Sequence, residues 1–203
     1  MKKRLLTLLV AGTLLQSNIW ESLPYSKEYS KDSKIENKIE IFNSKKVYEN
    51  KPLSKNEVNE ILSEIEISNK YFPKKTLEKM TLKESSRNPW KINEKSKAKG
   101  ILQIKKETWK EINPEVPYKT NWYNPKQNIQ TGIKYLNWLK NAISKNNPKW
   151  ETISHEEKKG QIIVGYNWGY GNLMKSGWNP EKFPKETRDY IKFVLGEMGR
   201  KDI

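Results

Sequence analysis

Glu84 has the strongest case for chemistry in this chain, because it continues an apolar helical stripe of Leu77, Met80 and Thr81 at helical spacing. A carboxyl on such a stripe loses water, and losing water disfavours its charged form and raises its pKa. A carboxyl that keeps its proton near neutral pH can donate it to a glycosidic oxygen as a general acid. The other reading of the same residue is a helix-end carboxylate in solvent. Ser85, Ser86, Arg87, Asn88 and Pro89 follow at once. The helix must therefore stop where the carboxyl emerges into a polar turn, as it would in a cleft wall.

Few other groups compete. The chain has 203 residues, no cysteine and one histidine, which excludes thiol nucleophiles, disulfide scaffolds and Cys-type zinc or iron-sulfur sites. His155 follows the expected cap Ser154 without a two-histidine zinc pattern, and is expected in solvent. No metal or cofactor is expected. The acids next in sequence after Glu84 are Glu94 and Glu107. If Glu94 approached Glu84 across the cleft, the two would form a paired-carboxylate hydrolytic site. Of the eight tryptophans most are expected in the core, Trp138 lies in the longest expected helix, and Trp90 and Trp168 adjoin polar loops where they could stack on sugar rings.

The elements that would hold these residues are helical. Ser54 and Glu57 form a capping box ahead of Val58, Ile61, Leu62 and Ile65, which spell one buried stripe. Pro73 fits the first position of the second helix, the one carrying Glu84. Asn124 as cap and Pro125 at N1 open a third, with Ile129, Gly132, Ile133, Leu136 and Ile143 facing inward. Ser154 with Glu157 opens a fourth, running through Ile162, Ile163 and Tyr166 until Gly169 and Gly171 stop it. A last helix is expected from Glu186 to about Met198. Residues 89–104 read as a turn or short ribbon, and no internal repeat is visible. The expected fold is a single, mainly α domain with a short irregular or β-ribbon segment beside the cleft.

The N-terminus has a different character. Lys2, Lys3 and Arg4 precede an apolar run from Leu5 to Leu15, so residues 1–19 read as an export signal or a retained N-terminal anchor. Residues 20–52 mix Lys, Glu, Ser and Asn without a period and read as a polar tether; residues 53–203 form the folded domain. The formal charge is +15, of which residues 53–203 hold +11. A basic domain outside the cytoplasm favours anionic envelope polymers over nucleic acid, for which no recognition motif is present. Lys95, Lys97, Lys99, Lys105 and Lys106 would attract anionic strands or solubilise the surface.

Four ordered blocks between residues 73 and 195 carry a resemblance. Glu84-Ser85, Asn88-Pro89 and Gly100-Ile101-Leu102-Gln103-Ile104 form the first. Asn124-Pro125, Asn128-Ile129, Gly132 and Tyr135-Leu136 form the second, Tyr166-Asn167 with Gly169 and Gly171 the third, and Glu186-Thr187-Arg188 with Tyr190 the fourth. In this order they resemble the soluble lytic transglycosylase family, SLT-type and similar to goose-type lysozyme. Lys97 stands where the family has a small glycine, one extra residue lies between Pro89 and Gly100, and Trp168 and Tyr170 replace Ala and Pro.

The resemblance implies a lysozyme-like fold and a peptidoglycan glycan substrate. It implies that Glu84 protonates the oxygen between N-acetylmuramic acid and N-acetylglucosamine and then acts as base, while the muramyl 6-hydroxyl closes a 1,6-anhydro ring. Holding the attacking hydroxyl on the same sugar makes closure intramolecular, which is entropically favourable. It further implies that Tyr190 bonds the catalytic carboxyl, that Tyr166 and Asn167 line sugar subsites, that Gln103 meets an acetamido group, and that Ser85 orients that group or the carboxyl. Ordinary core packing is the alternative for the tyrosines. The expected protein is an exported monomer of the periplasm, cell wall or extracellular space. A hydrolytic muramidase and a non-catalytic glycan-binding module are the competing readings.

Overall fold

The structure, a computed structural model, describes residues 49–66 and 71–196. The expected export signal at 1–19 and residues 20–48 of the expected tether lie outside them. Among the described residues no helix is long and apolar enough to cross a membrane.

Local capping chemistry sets the frame. Helix α1 (Lys55–Ser63) starts at the Ser54 capping box, in which Ser54 Oγ accepts from Glu57 N at 3.2 Å and Glu57 accepts from Ser54 N at 2.7 Å. A side-chain cap of this kind stabilises a helix by about 1 kcal/mol. Val58, Ile61, Leu62 and Ile65 are all buried, as their spacing requires. Helix α2 (Lys74–Ser85) starts one residue later than expected, since Pro73 has extended dihedrals and is the cap instead of the first helical residue. Its end is abrupt. Ser86 and Arg87 both take positive φ, 56° and 61°, and Arg87 reaches back to Glu78 Oε1 with Nη2 at 2.7 Å and Nε at 3.1 Å.

Two short helices lie where none is expected: α3 (Lys106–Ile112) and α4 (Tyr118–Asn121). Neither has a side-chain cap, and between them only Trp109 is buried, so no apolar period announces them. Helix α5 (Pro125–Asn146) opens at the expected Asn124 cap and is the central packing element. It packs against α1, α3 and α6 (His155–Val164), which has its own Ser154–Glu157 capping box. The chain then widens into a π-turn over Gly165–Gly169 and re-forms as α7 (Tyr170–Lys175). Gly169, with φ +96°, makes the break; Gly171 lies inside α7 and stops nothing, contrary to expectation. The last described helix, α8 (Lys185–Leu195), packs on α2 and α6 and ends short of the expected Met198, because Gly196, with φ 94°, caps it.

Residues 89–104 form an irregular ribbon with isolated bridges Ile92–Lys99 and Lys99–Ile104 in place of a sheet. Asn128 on α5 pins it. The Asn128 Nδ2 donates to Trp122 O at 2.9 Å and Lys99 O at 3.2 Å, and its Oδ1 accepts from Leu102 N at 2.9 Å. Asn128 is fully buried, so these three bonds satisfy an amide that would otherwise be costly to bury. Gly100 makes the close approach possible: at its φ of +83°, an added Cβ would sit 2.2 Å from Asn128 Nδ2 and 2.4 Å from Trp122 O.

Gly100→Ala therefore combines left-handed strain with overlap against a backbone carbonyl and a buried amide. It should cost about 2–4 kcal/mol. Urea unfolding should show a clearly lower midpoint; an unchanged midpoint would mean the ribbon is not pinned as described.

Candidate active site

Packing of α8 on α2 decides which side chains meet. On α2, Leu77, Met80 and Thr81 are fully buried, and the next residue on that face is Glu84. On α8, Tyr190 is 2% exposed and donates its hydroxyl to Glu84 Oε1 at 2.5 Å. Burial pushes the Glu84 pKa up to about 7, while the Tyr190 hydrogen bond and the Lys83 ammonium pull it down and Glu186 adds to the rise. A phenol that donates leaves Oε2 as the oxygen to carry an acidic proton. Burial also holds the Tyr190 and Tyr166 hydroxyls well above the usual tyrosine value, so both remain donors.

Glu84 opens on a cavity of about 420 Å³. Its walls come from the ribbon (Asn93, Ser96, Ala98, Gln103), from α3 and its approach (Lys105, Thr108), from α5 (Tyr135), from the π-turn (Tyr166, Asn167, Trp168) and from α8 (Glu186). Four of the expected site residues, Glu84, Gln103, Tyr166 and Asn167, thus share one cavity. Tyr190 stands behind the carboxyl and not in the lining. Gln103, at φ 49°, donates Nε2 to Gly100 O at 2.8 Å and Lys91 O at 3.1 Å. These bonds use its donor side, so an acetamido group would meet it as an acceptor. Tyr166 donates to Leu102 O at 2.7 Å, tying the π-turn to the ribbon. A π-turn places extra side chains on one side of a helix, a common device at functional sites.

Ser85 departs from its expected role. It is 5% exposed, lies outside the cavity lining, and gives its hydroxyl proton to backbone, with Ile101 O at 2.8 Å and Thr81 O at 3.1 Å. Successive helical residues diverge by about 100°, so Glu84 and Ser85 cannot both face the cavity. The Ser85 hydroxyl straps the ribbon to α2 instead.

Glu94 also departs. It is exposed, pairs with Lys97 at 3.0 Å, and does not line the cavity. The carboxylate that shares the cavity with Glu84 is Glu186, for which the sequence suggests a helix start and no site role. Its position four residues before Tyr190, hence on the same helix face, was the available signal. Trp168 lines the cavity but Trp90 does not: its ring stacks on Tyr123 at 4.4 Å and meets Trp122 edge-on. The tryptophans are not mostly core, since among the described residues only Trp109 and Trp150 are buried. Trp138 is 36% exposed and stacks on the cavity residue Tyr135 at 5.9 Å. His155 is exposed with its ring 4.6 Å from that of Tyr71.

The model of the family described as "Transglycosylase SLT domain" matches residues 62–188. The chain belongs to this family. The match spans Glu84, the ribbon, α5 and the π-turn, and ends two residues short of Tyr190. SLT domains are lytic transglycosylases of peptidoglycan, and the mainly helical, lysozyme-like fold agrees with that assignment. Neither curated proteins nor solved structures give a match.

The raised pKa of Glu84 has a thermodynamic consequence for this SLT domain. Between its unfolded value of 4.5 and its folded value of about 7, the folded state holds more protons than the unfolded state. Stability therefore falls as pH rises through that window, by up to about 3 kcal/mol for a single group. Glu84→Gln removes the titration and should gain on the wild type by this amount between pH 4 and pH 8. Denaturant unfolding at the two pH values measures it; identical pH dependence of the two proteins would contradict the desolvation of this half-buried carboxyl.

Proposed function

We propose that the chain is an exported lytic transglycosylase that cleaves the β-1,4 bond from N-acetylmuramic acid to N-acetylglucosamine, with Glu84 as general acid and then general base. The supporting observation is the Glu84 carboxyl itself, held at a pKa of about 7 by burial, bonded on one oxygen by Tyr190 and open on a polar cavity. In this reading Oε2 gives its proton to the bridging oxygen as the bond to the muramyl anomeric carbon breaks. The N-acetyl carbonyl of the same sugar assists from the opposite face. The muramyl 6-hydroxyl then attacks that carbon and returns its proton to Glu84, leaving a 1,6-anhydro end and the carboxyl ready for the next cycle.

The surroundings support the assignment of roles. Tyr190 orients the carboxyl without adding a charge that would ionise it. Gln103, Tyr166 and Asn167 line the cavity where the sugars would lie, and Trp168 with Tyr135 offers aromatic faces for the rings. Residues 1–19 would direct export and residues 20–52 would tether the catalytic domain, residues 53–203, which acts as a monomer without a cofactor. A hydrolytic reading has one observation in its favour, the carboxylate of Glu186 in the same cavity, from which a water could be activated.

Product analysis separates the two. Digestion of purified sacculi should release 1,6-anhydro-muropeptides, visible by mass spectrometry, and Glu84→Gln should lose at least about 10³-fold in rate by removing the sole acid of the scheme. Reducing-end products alone would select hydrolysis, with Glu186→Gln then as damaging as Glu84→Gln.

The pH profile gives an independent check. The acid must be protonated, so kcat/KM should fall as pH rises through about 7. Tyr190 lowers the Glu84 pKa, so Tyr190→Phe should move this descending limb to higher pH while reducing the maximum rate. A limb that stays in place would remove Tyr190 from the titration.

A further inference from the structure

The wall between the ribbon and α3 has two faces. Ser96, Ala98, Lys105 and Thr108 line the cavity of Glu84. Lys97, Lys99, Lys106 and Lys110, interleaved with them in sequence, line a second and larger cavity of about 680 Å³ on the other face. Lys106 and Lys110 stand one helical turn apart on α3 and share a side of it. Lys119 on α4 adds a fifth ammonium from the far rim, and Glu107 is the one acid in the lining.

These lysines are not spent on holding the fold. Lys106, Lys110 and Lys119 have no ion-pair partner among the described residues. Lys97 shares only the exposed pair with Glu94, and Lys99 holds its ammonium 5.0 Å from the centre of the Trp122 ring. The floor beneath them is apolar, made by Trp109, Trp122 and Val116. No arginine fork is present to grip a single carboxylate bidentately. Spaced point charges on flexible stems above an apolar floor suit a chain of phosphodiesters separated by polyol or sugar units.

We propose that this second cavity binds a phosphodiester-linked anionic polymer of the cell envelope, anchoring the domain while the cavity of Glu84 works on the neighbouring glycan. The proposal relies on the wall-directed reading of the domain for the source of the polymer, but its test does not depend on turnover. Phosphodiester binding by lysines neutralises charge and releases counterions, so it weakens steeply with salt.

The experiment is a sedimentation assay of the full chain on two sacculus preparations, one retaining its phosphodiester polymers and one stripped of them by cold hydrofluoric acid. The triple variant Lys106→Gln, Lys110→Gln, Lys119→Gln is compared with Lys145→Gln, Lys175→Gln, Lys182→Gln, which removes the same charge from exposed sites outside the cavity. Wild type should bind the native sacculi at least 10-fold more tightly than the stripped ones. The cavity variant should lose that difference and the control variant should keep it. Circular dichroism checks folding, and anhydro-product release from short soluble glycans should be unchanged in the cavity variant.

Equal binding of wild type to both preparations would overturn the proposal. So would equal losses in the two triple variants, which would assign the effect to net charge alone. A DNA duplex bound as tightly as native sacculi at physiological salt would overturn it in favour of nucleic acid. Loss of glycan cleavage by the wild type with polymer binding intact would instead count against the catalytic reading and leave the anchoring site standing.

Discussion

One hydrogen bond, from the buried Tyr190 hydroxyl to Glu84 Oε1, joins the two helices on which the site is built. Its chemical type matters as much as its position. An arginine or lysine in the place of Tyr190 would hold the carboxyl equally well but would stabilise its anion and leave no proton to donate. A purely apolar neighbour would raise the pKa further and let the carboxyl rotate. A neutral donor sits between these limits: the bond lowers the Glu84 pKa, burial raises it by more, and the balance lies at about 7. The packing of α8 on α2 is therefore an electrostatic device as well as a source of apolar burial.

The opposite wall of the cavity is held by a different set of bonds, all to backbone carbonyls or amides of the ribbon. Asn128 on α5 takes hold of Lys99 and Leu102; Ser85 on α2 takes Ile101; Tyr166 in the π-turn takes Leu102. Three separate elements thus fix a segment with almost no regular structure of its own. The ribbon needs this, because isolated bridges cannot supply the bonds that a sheet would. Side chains placed on so many supports lose little freedom on meeting a substrate, which is the condition for precise positioning.

What the amino-acid order disclosed follows from the range of each interaction. The capping boxes at Ser54 and Ser154 and the Asn124 cap act over three or four residues, and all three helix starts could be read directly. The desolvated setting of Glu84 could be read because its apolar stripe repeats over two turns, and the contact with Tyr190 because an ordered family pattern implied it. Helices α3 and α4 could not, since a single buried Trp109 leaves no period to detect. The role that the resemblance implies for Ser85 conflicts with its direction, because a helix turns neighbouring side chains apart and Ser85 faces the ribbon backbone. Trp90, a candidate for stacking on sugar rings that lies outside the cavity, could not be placed for a related reason: its direction depends on the irregular ribbon, whose course is fixed by distant partners such as Asn128. The exposure of Trp138 likewise depends on which face of α5 remains uncovered after α1, α3 and α6 have packed on it.

The charges around Glu84 also bear on how the site tolerates its surroundings. Lys83 and Glu186, both exposed, act on the Glu84 pKa in opposite directions, and both rank below burial and the Tyr190 bond. Salt screens exposed charges far more than buried contacts, and here it screens two effects of opposite sign. The proton affinity of Glu84 is consequently set from within the fold, by packing and one neutral donor. That separation suits a domain with an excess of lysine, because exposed ammonium groups elsewhere leave the proton affinity of Glu84 largely unchanged. Residues 96–99 and 105–110 follow the same division: Ser96, Ala98 and Thr108 line the cavity of Glu84 together with Lys105, whereas Lys97, Lys99, Lys106 and Lys110, whose charges would favour its anion, line the other cavity.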